Sequence, residues 1–344
     1  MKVVISSWLF LNYVKGVIIM HMADALLSPG VALSFTGISA VLLVKNCRKI
    51  KAELSEEKIP LMGIMGAFIF AAQMINFTIP GTGSSGHLGG GLLLAALLGK
   101  EAAFIVMSSI LIIQALFFAD GGLLALGCNI FNLGFFPCYI AYPYIYKQFT
   151  QKSYERRNLN IASILGAIIA LQMGAFMVVL QTMLSGKTQL PFMNFVTLML
   201  PIHLAIGLVE GLVTAAVLNY IYQVRPNILV PNLVVEKQFS MKKVIMIIGL
   251  SSILVAGGFS LMASEYPDGL EWSIDKITSG QELETQGEIY AKLAALQEKF
   301  SFLPDYNFTE PQTVGTSVAG LVGASITFIV LLFTGKLFRL NKDN

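Results

Sequence analysis

Eight apolar runs dominate this chain, near residues 27–45, 61–79, 101–118, 123–146, 160–184, 196–222, 242–263 and 313–335. A helix that crosses a bilayer needs about 20 predominantly apolar residues, and in hydrocarbon every backbone polar group must find its partner within the protein. The runs therefore leave a bundle of membrane helices as the fold. Composition agrees: 55% of the 344 residues are hydrophobic and 12% are charged, whereas soluble domains carry about 25% charged residues. The net charge of +3 is small and the basic residues sit in short loops, which excludes a nucleic-acid surface.

A shorter apolar run, 88–99, lies between the second and third. The positive-inside rule decides whether it counts as a crossing. The basic clusters are Lys45, Arg48, Lys49, Lys51 and Lys58; Lys147, Lys152, Arg156 and Arg157; Arg225, Lys237, Lys242 and Lys243; and Lys336, Arg339 and Lys342. With nine crossings all four clusters share one side; with eight they do not. The short run is thus expected to be a ninth, tilted crossing, with Met20 outside and the carboxyl terminus cytoplasmic in the plasma membrane.

The segment 264–311 then lies outside. It is polar and acidic, with Glu265, Asp268, Glu271, Asp275, Glu282, Glu284 and Glu288, and an amphipathic helix is predicted around EIYAKLAALQEKF. The stretch 223–241 contains two prolines and reads as a cytoplasmic linker between a seven-crossing unit, 20–222, and a two-crossing hairpin, 242–338. No internal repeat is visible, so an inverted-repeat secondary transporter is not indicated. Cys47, Cys128 and Cys138 form no CxxC and are odd in number, which fits small apolar residues better than zinc or disulfides. No GxxxxGK[ST] occurs, so the chain cannot hydrolyse ATP by a P-loop.

There are three histidines, His21, His87 and His203, and all fall in the outer half. Each alone reads as a hydrogen-bonded interfacial residue; their convergence on one side makes a site. His21 follows Met20 directly in MHMADALLSP. If Met20 is the amino terminus, its amine, the main-chain nitrogen of His21 and ring Nδ1 of His21 bind one ion through fused five- and six-membered rings. A square plane of nitrogens suits Ni(II), Cu(II) and, where the protein enforces it, Co(II). Zinc prefers a tetrahedron and magnesium prefers oxygen. His87, in a glycine-rich loop, is the candidate fourth ligand. His203 and Glu210 are seven apart, on one face of a helix. A packing or coupling role is expected for them, because a carboxylate at membrane depth faces the bundle interior or a partner. Gly207, Gly211 and Ala215 on the same helix permit close helix contact.

The stretches MHMADALLSP, NFTIPGTGSSGHLGGGLLLAALLG and QALFFADGGLLALGCNIFNLGFF resemble the substrate-capturing membrane subunit of the energy-coupling-factor transporters for cobalt and nickel, the CbiM and NikM type. YPDGLEW, Tyr266 to Trp272, resembles the hallmark of the family's small N subunit, and fused forms are known. The resemblance implies an all-α integral membrane protein, with a seven-helix substrate-binding bundle and a two-helix hairpin carrying an extracytoplasmic loop. It implies metal binding by Met20, His21 and His87, with a supporting role for Asp24 toward the amino-terminal segment or a ring N–H. Asn76, Gln114, Asp120, Asn129 and Asn132 fall in family-like stretches and are expected to bond to one another around the buried amino terminus. No cofactor beyond the transported Co2+ or Ni2+ is implied. The implied partners are a transmembrane coupling subunit and cytoplasmic ATPases, and the hairpin is expected to assist loading rather than hold the ion.

Rival classes are a metal-gated channel or secondary transporter, an intramembrane enzyme and a structural membrane protein. The first needs ionisable groups along a whole path, yet the inner halves of the crossings are nearly free of them; the second lacks HExxH or an equivalent. Residues 1–19 loosely suggest a leader, but Val17, Ile18 and Ile19 are not the small residues a signal peptidase requires. Translation from Met20 is the expectation.

Overall fold

The computed structural model describes residues 21–53, 55–151, 153–188, 190–231, 233, 238–281, 283, 285, 287–306 and 312–340. Met20 and the segment 1–19 lie outside the described residues. In chain order the elements are α1 (Pro29–Glu53), α2 (Lys58–Gln73), β1 (Phe77–Ile79), β2 (Ser84–Gly86), α3 (Gly91–Leu98), α4 (Lys100–Phe117), a continuous helix α5 from 126 to 150, α6 (Arg156–Ser185), α7 (Phe192–Val224), α8 (Met241–Gly257), α9 (Gly269–Thr278), α10 (Glu288–Phe300) and α11 (Gln312–Leu340). The middle of α5, Phe131–Tyr146, is a π-helix that contains Pro137 and Pro143. Proline lacks the N–H that an α-helical ladder would use, and the wider winding accommodates it.

Among the described residues six helices are long and apolar enough to cross a membrane, and α2 is a shorter apolar one. Apolar side chains on several of them, such as Val41, Leu254 and Phe333, point outward, as a lipid-facing surface requires. The run 88–99 differs from expectation. Its helix, α3, has only 8 residues, about 12 Å at the helical rise and far short of the hydrocarbon thickness. Non-helical backbone from the β1–β2 hairpin leads into it, a second departure from an all-helical reading. Its turn is exposed, whereas Ser84–His87, Gly89 and Gly90 are buried, and there the Gly89 and Gly90 N–H groups donate to Glu210, as backbone away from water requires.

The close contact anticipated on α7 is with α6. A Cβ added at Gly207 would stand 2.9 Å from Ile168 Cα, and one at Gly211 would stand 2.5 Å from Ile164 Cα. Both backbones approach only because those side chains are absent. The hairpin helices do not stand apart from the first unit, since α11 packs along α2 and α8 lies against both.

Ion pairs mark one end of the bundle: Lys49 with Glu101, Arg225 with Glu57, and Arg339 with Glu56. The opposite end carries His21, the β-hairpin and the segment 264–306. There α10 coincides with the amphipathic helix expected from sequence. Tyr290 Oη on α10 donates to the Leu27 carbonyl at 2.6 Å, and Gln297 Nε2 donates to the carbonyls of Ala115 and Gly121 at 2.9 and 2.8 Å.

Candidate metal centre

The segment around His21 is irregular and buried, so its backbone must be satisfied by side chains. Asn129, on the first turn of α5, does this as a neighbouring strand would: the Met22 N–H donates to Asn129 Oδ1 at 3.1 Å and Asn129 Nδ2 donates to the Met22 carbonyl at 3.2 Å. Asp24 Oδ1 accepts from the Ala125 N–H at 2.9 Å. Burial raises the Asp24 carboxyl above its usual value, against the lowering effect of the Ala125 and Leu124 N–H groups. A Cβ at Gly122 would fall 1.7 Å from Asp24 Oδ1, so only glycine allows this approach. Asp24 thus anchors the segment and touches no ring.

The His21 ring is buried, with Nδ1 2.9 Å from Asp120 Oδ2. The same oxygen accepts from Tyr306 Oη at 2.6 Å. Burial pushes the Asp120 carboxyl up, but the charge and hydrogen bonds of His21 and Tyr306 prevail and hold it below its usual value. Nε2 of His21 is buried, without a hydrogen-bond partner among the described residues. This differs from the expected chelate, in which Nδ1 is the donor to the ion. A half-turn of the ring would exchange the two edges and release Asp120.

His87 follows β2 directly. Its Nδ1 donates to the Leu88 carbonyl at 3.2 Å, which places the ring proton on Nδ1. The His21 and His87 ring centroids are 5.6 Å apart. Two imidazoles on one ion, with metal–nitrogen bonds of about 2.0 Å, have centroids roughly 4.5 Å apart at right angles and roughly 6.3 Å apart when opposed. The observed spacing falls within that range.

Both rings line a chamber of about 70 Å³ whose other polar lining includes Asn129, Asn132, His203 and Asp268. His203 stands two residues past a helix-interior proline, Pro201, and its Nδ1 donates to the Met199 carbonyl at 2.8 Å. Asn132 exchanges two hydrogen bonds with Gln181, at 2.8 and 3.1 Å. Among the described residues, no three or more His, Cys, Asp or Glu side chains stand close enough to hold an ion alone. An ion at the histidine pair would complete its shell with main-chain nitrogen, residue 20 or water.

The remaining expected residues separate by role. Glu210 is not among the residues that line the chamber. It accepts from the N–H groups of Gly89 and Gly90, at 2.7 and 3.1 Å, and so holds the His87 loop. Gln114 acts one step away: its Nε2 donates to Gln73 Oε1 at 2.8 Å, and Gln73 Nε2 donates to the Gly89 carbonyl at 2.9 Å. Asn76 is not brought to the chamber; its carbonyl accepts from the Ser264 N–H at 2.7 Å, joining the two units. Sequence reasoning did not single out Gln73, Gln181, Tyr306 or Asp268. The apolar runs hid the glutamines, and Asp268 was one acid in an acidic loop.

Residues 21–228 match the family model described as the cobalt uptake substrate-specific transmembrane region, CbiM, and residues 242–340 match the PDGLE domain. A protein of Archaeoglobus fulgidus, whose name describes it as a fused nickel transport protein, NikMN, is 32% identical over 93% of this chain and 98% of its own length. The cobalt transport protein CbiM of Geobacter sulfurreducens is 25% identical over 76% of this chain and 78% of its own length. A crystal structure of a truncated transition metal transporter superposes with a TM-score of 0.51 at 31% identity, covering 59% of this chain and 99% of that one. With both family regions present in one polypeptide, the chain belongs to the CbiM family of cobalt-uptake transmembrane proteins, in the fused form that carries a PDGLE domain.

Proposed function

We propose that this chain captures a divalent transition metal ion, Co2+ or Ni2+, as the substrate-specific component of an energy-coupling-factor transporter. The observation that carries the reading is the pair of buried histidines, His21 and His87, turned toward one small chamber with centroids 5.6 Å apart. With Met20 as the amino terminus, its amine, the His21 main-chain nitrogen and Nδ1, and the His87 Nε2 complete a square plane, a geometry that favours these ions. A second mode is favoured by the hydrogen bond between His21 Nδ1 and Asp120. In it Nε2 of His21 binds the ion and Asp120 orients the ring, as carboxylates do behind metal-bound histidines.

The end that carries the ion pairs is cytoplasmic by the excess of Lys and Arg in its short loops. The chamber and the segment 264–306 then face outward in the plasma membrane, as uptake requires. A P-loop is absent from the sequence, so a transmembrane coupling subunit and cytoplasmic ATPases supply the energy. The ion is the substrate, and no other cofactor enters the reading.

Metal content decides the central claim. Chain purified after growth with Ni2+ or Co2+ should carry about one ion, and His21→Ala or His87→Ala should carry none. Equal metal content in the wild type and both variants would remove the chamber as the site.

A further inference from the structure

We propose that His87 and Asp268 form a capture position that the ion occupies before it settles at the His21–His87 pair. The inference rests on the reading of the chamber as a metal site. Asp268 belongs to the PDGLE segment, and the fold fixes it against the strand that leads to His87. Its backbone is bridged to Ser85, the Ser85 N–H donates to the Pro267 carbonyl at 2.8 Å, and Ser85 Oγ donates to the Tyr266 carbonyl at 2.7 Å. Asp268 Oδ2 caps α9 by accepting from the Leu270 N–H at 3.4 Å.

The other oxygen is what points to a ligand. Asp268 is only 3% exposed, yet among the described residues Oδ1 has no hydrogen-bond partner. A buried carboxylate oxygen left without a donor is costly. It lines the chamber, 4.0 Å from His87 Nε2. That separation is the span of two bonds of about 2.0 Å each laid end to end. An ion midway meets one carboxylate oxygen and one imidazole nitrogen, and water fills its other positions. Oxygen donors suit an ion still partly hydrated, whereas nitrogen donors hold Co2+ and Ni2+ more firmly. Transfer inward keeps the bond to His87. The bond to Asp268 breaks as the bonds of the inner site form, with no change of oxidation state. The acidic segment thereby takes a direct part in loading without holding the resting ion.

The test uses the full chain with Co2+ as probe. Asp268→Asn keeps an oxygen that can cap Leu270 but loses the charge. Stopped-flow quenching of tryptophan fluorescence reads loading, because Trp272 lies one helical turn from Asp268, its N–H bonded to the Asp268 carbonyl at 2.8 Å. Association should slow by about fivefold or more, while equilibrium dialysis gives a Kd close to that of wild type. Asp268→Glu, which keeps the charge, should load faster than Asp268→Asn. Association in Asp268→Asn slowed by less than about fivefold overturns the capture position, whether or not Kd changes. His87→Ala run in parallel separates the two claims. If it loses equilibrium binding while Asp268→Asn loads normally, the capture position alone is wrong. If it binds as wild type does, the chamber reading fails and takes the capture position with it.

Discussion

Glu210 holds Gly89. The carboxylate lies in the interior of α7, 3% exposed, and its Oε2 accepts from the Gly89 N–H at 2.7 Å while Oε1 accepts from the Gly90 N–H at 3.1 Å. A charge at membrane depth is expensive unless it is paired or hydrogen-bonded. Here it is matched by two main-chain donors that would themselves be orphaned where the loop turns into α3. Each side of the contact solves the other's desolvation, and the position of His87, two residues before Gly89, follows from it.

Replacing Glu210 by Ala should therefore cost more than a packing loss. It leaves two buried N–H groups without acceptors, at about 1–3 kcal/mol each, and frees the His87 loop. The expected result is a lower melting temperature together with a metal affinity at least about tenfold weaker, about 1.4 kcal/mol in binding. Glu210→Gln, which retains one acceptor oxygen, should fall between. A Glu210→Ala chain that melts lower but binds Ni2+ with wild-type affinity would show that the loop is positioned by other contacts.

Six of the expected crossings stand as long apolar helices among the described residues, legible because hydrocarbon demands long apolar runs, and the amphipathic helix at 288–300 was legible because its period is helical. The position of His21 beside Met20 and of His87 in a glycine-rich loop led to the expectation of one shared site, and the two rings line one chamber. The short run 88–99 was misread in part: sequence hydropathy cannot show that Glu210 and Gln73 satisfy non-helical backbone there, since those partners are 121 and 16 residues away. Asp268 was invisible as a chamber residue for the same reason. Its distance from His87 is set by a strand bridge between two units, which no local pattern encodes.

Orientation can be read by labelling. In a background without the native cysteines, a cysteine at Ser279, exposed after α9, should react with an impermeant thiol reagent in intact cells. A cysteine at Ser55, exposed beside the basic end, should react only after lysis. The reverse pattern would place the chamber in the cytoplasm and remove uptake from the reading.

Asp305 gives a pH signature on the chamber end. Burial, with the Asp120 charge beside it, raises its carboxyl from 3.8 to about 6. A group that binds its proton more readily when folded contributes stability that is fully present below the unfolded value and is lost as pH rises through about 6. Asp305 also sits at φ 52°, where asparagine is well tolerated. Asp305→Asn should melt higher than wild type at pH 7.5, and the difference should shrink as pH falls toward about 4. A difference that is constant across this range would assign the gain to backbone conformation alone.

The hydrogen bond between His21 Nδ1 and Asp120 separates the two binding modes. Binding through the fused chelate uses the Met20 amine and Nδ1, so acetylating that amine removes one donor and should abolish metal binding. Asp120→Asn should then matter little once the ring has turned. Binding through Nε2 reverses the pattern. Acetylation is tolerated if the His21–Asp24 segment keeps its bonds to Asn129 and Ala125, while Asp120→Asn removes the carboxylate charge that orients the ring and should weaken affinity by about 10–100-fold. Amino-terminal sequencing of the native protein completes the comparison, because a chain that starts Met-His-Met-Ala-Asp has the free amine and one that retains the upstream segment does not. Acetylation of the amine and Asp120→Asn measured side by side, with Ni2+ content as the readout, therefore assign the His21 donor atom. A chain indifferent to both changes would leave neither mode standing.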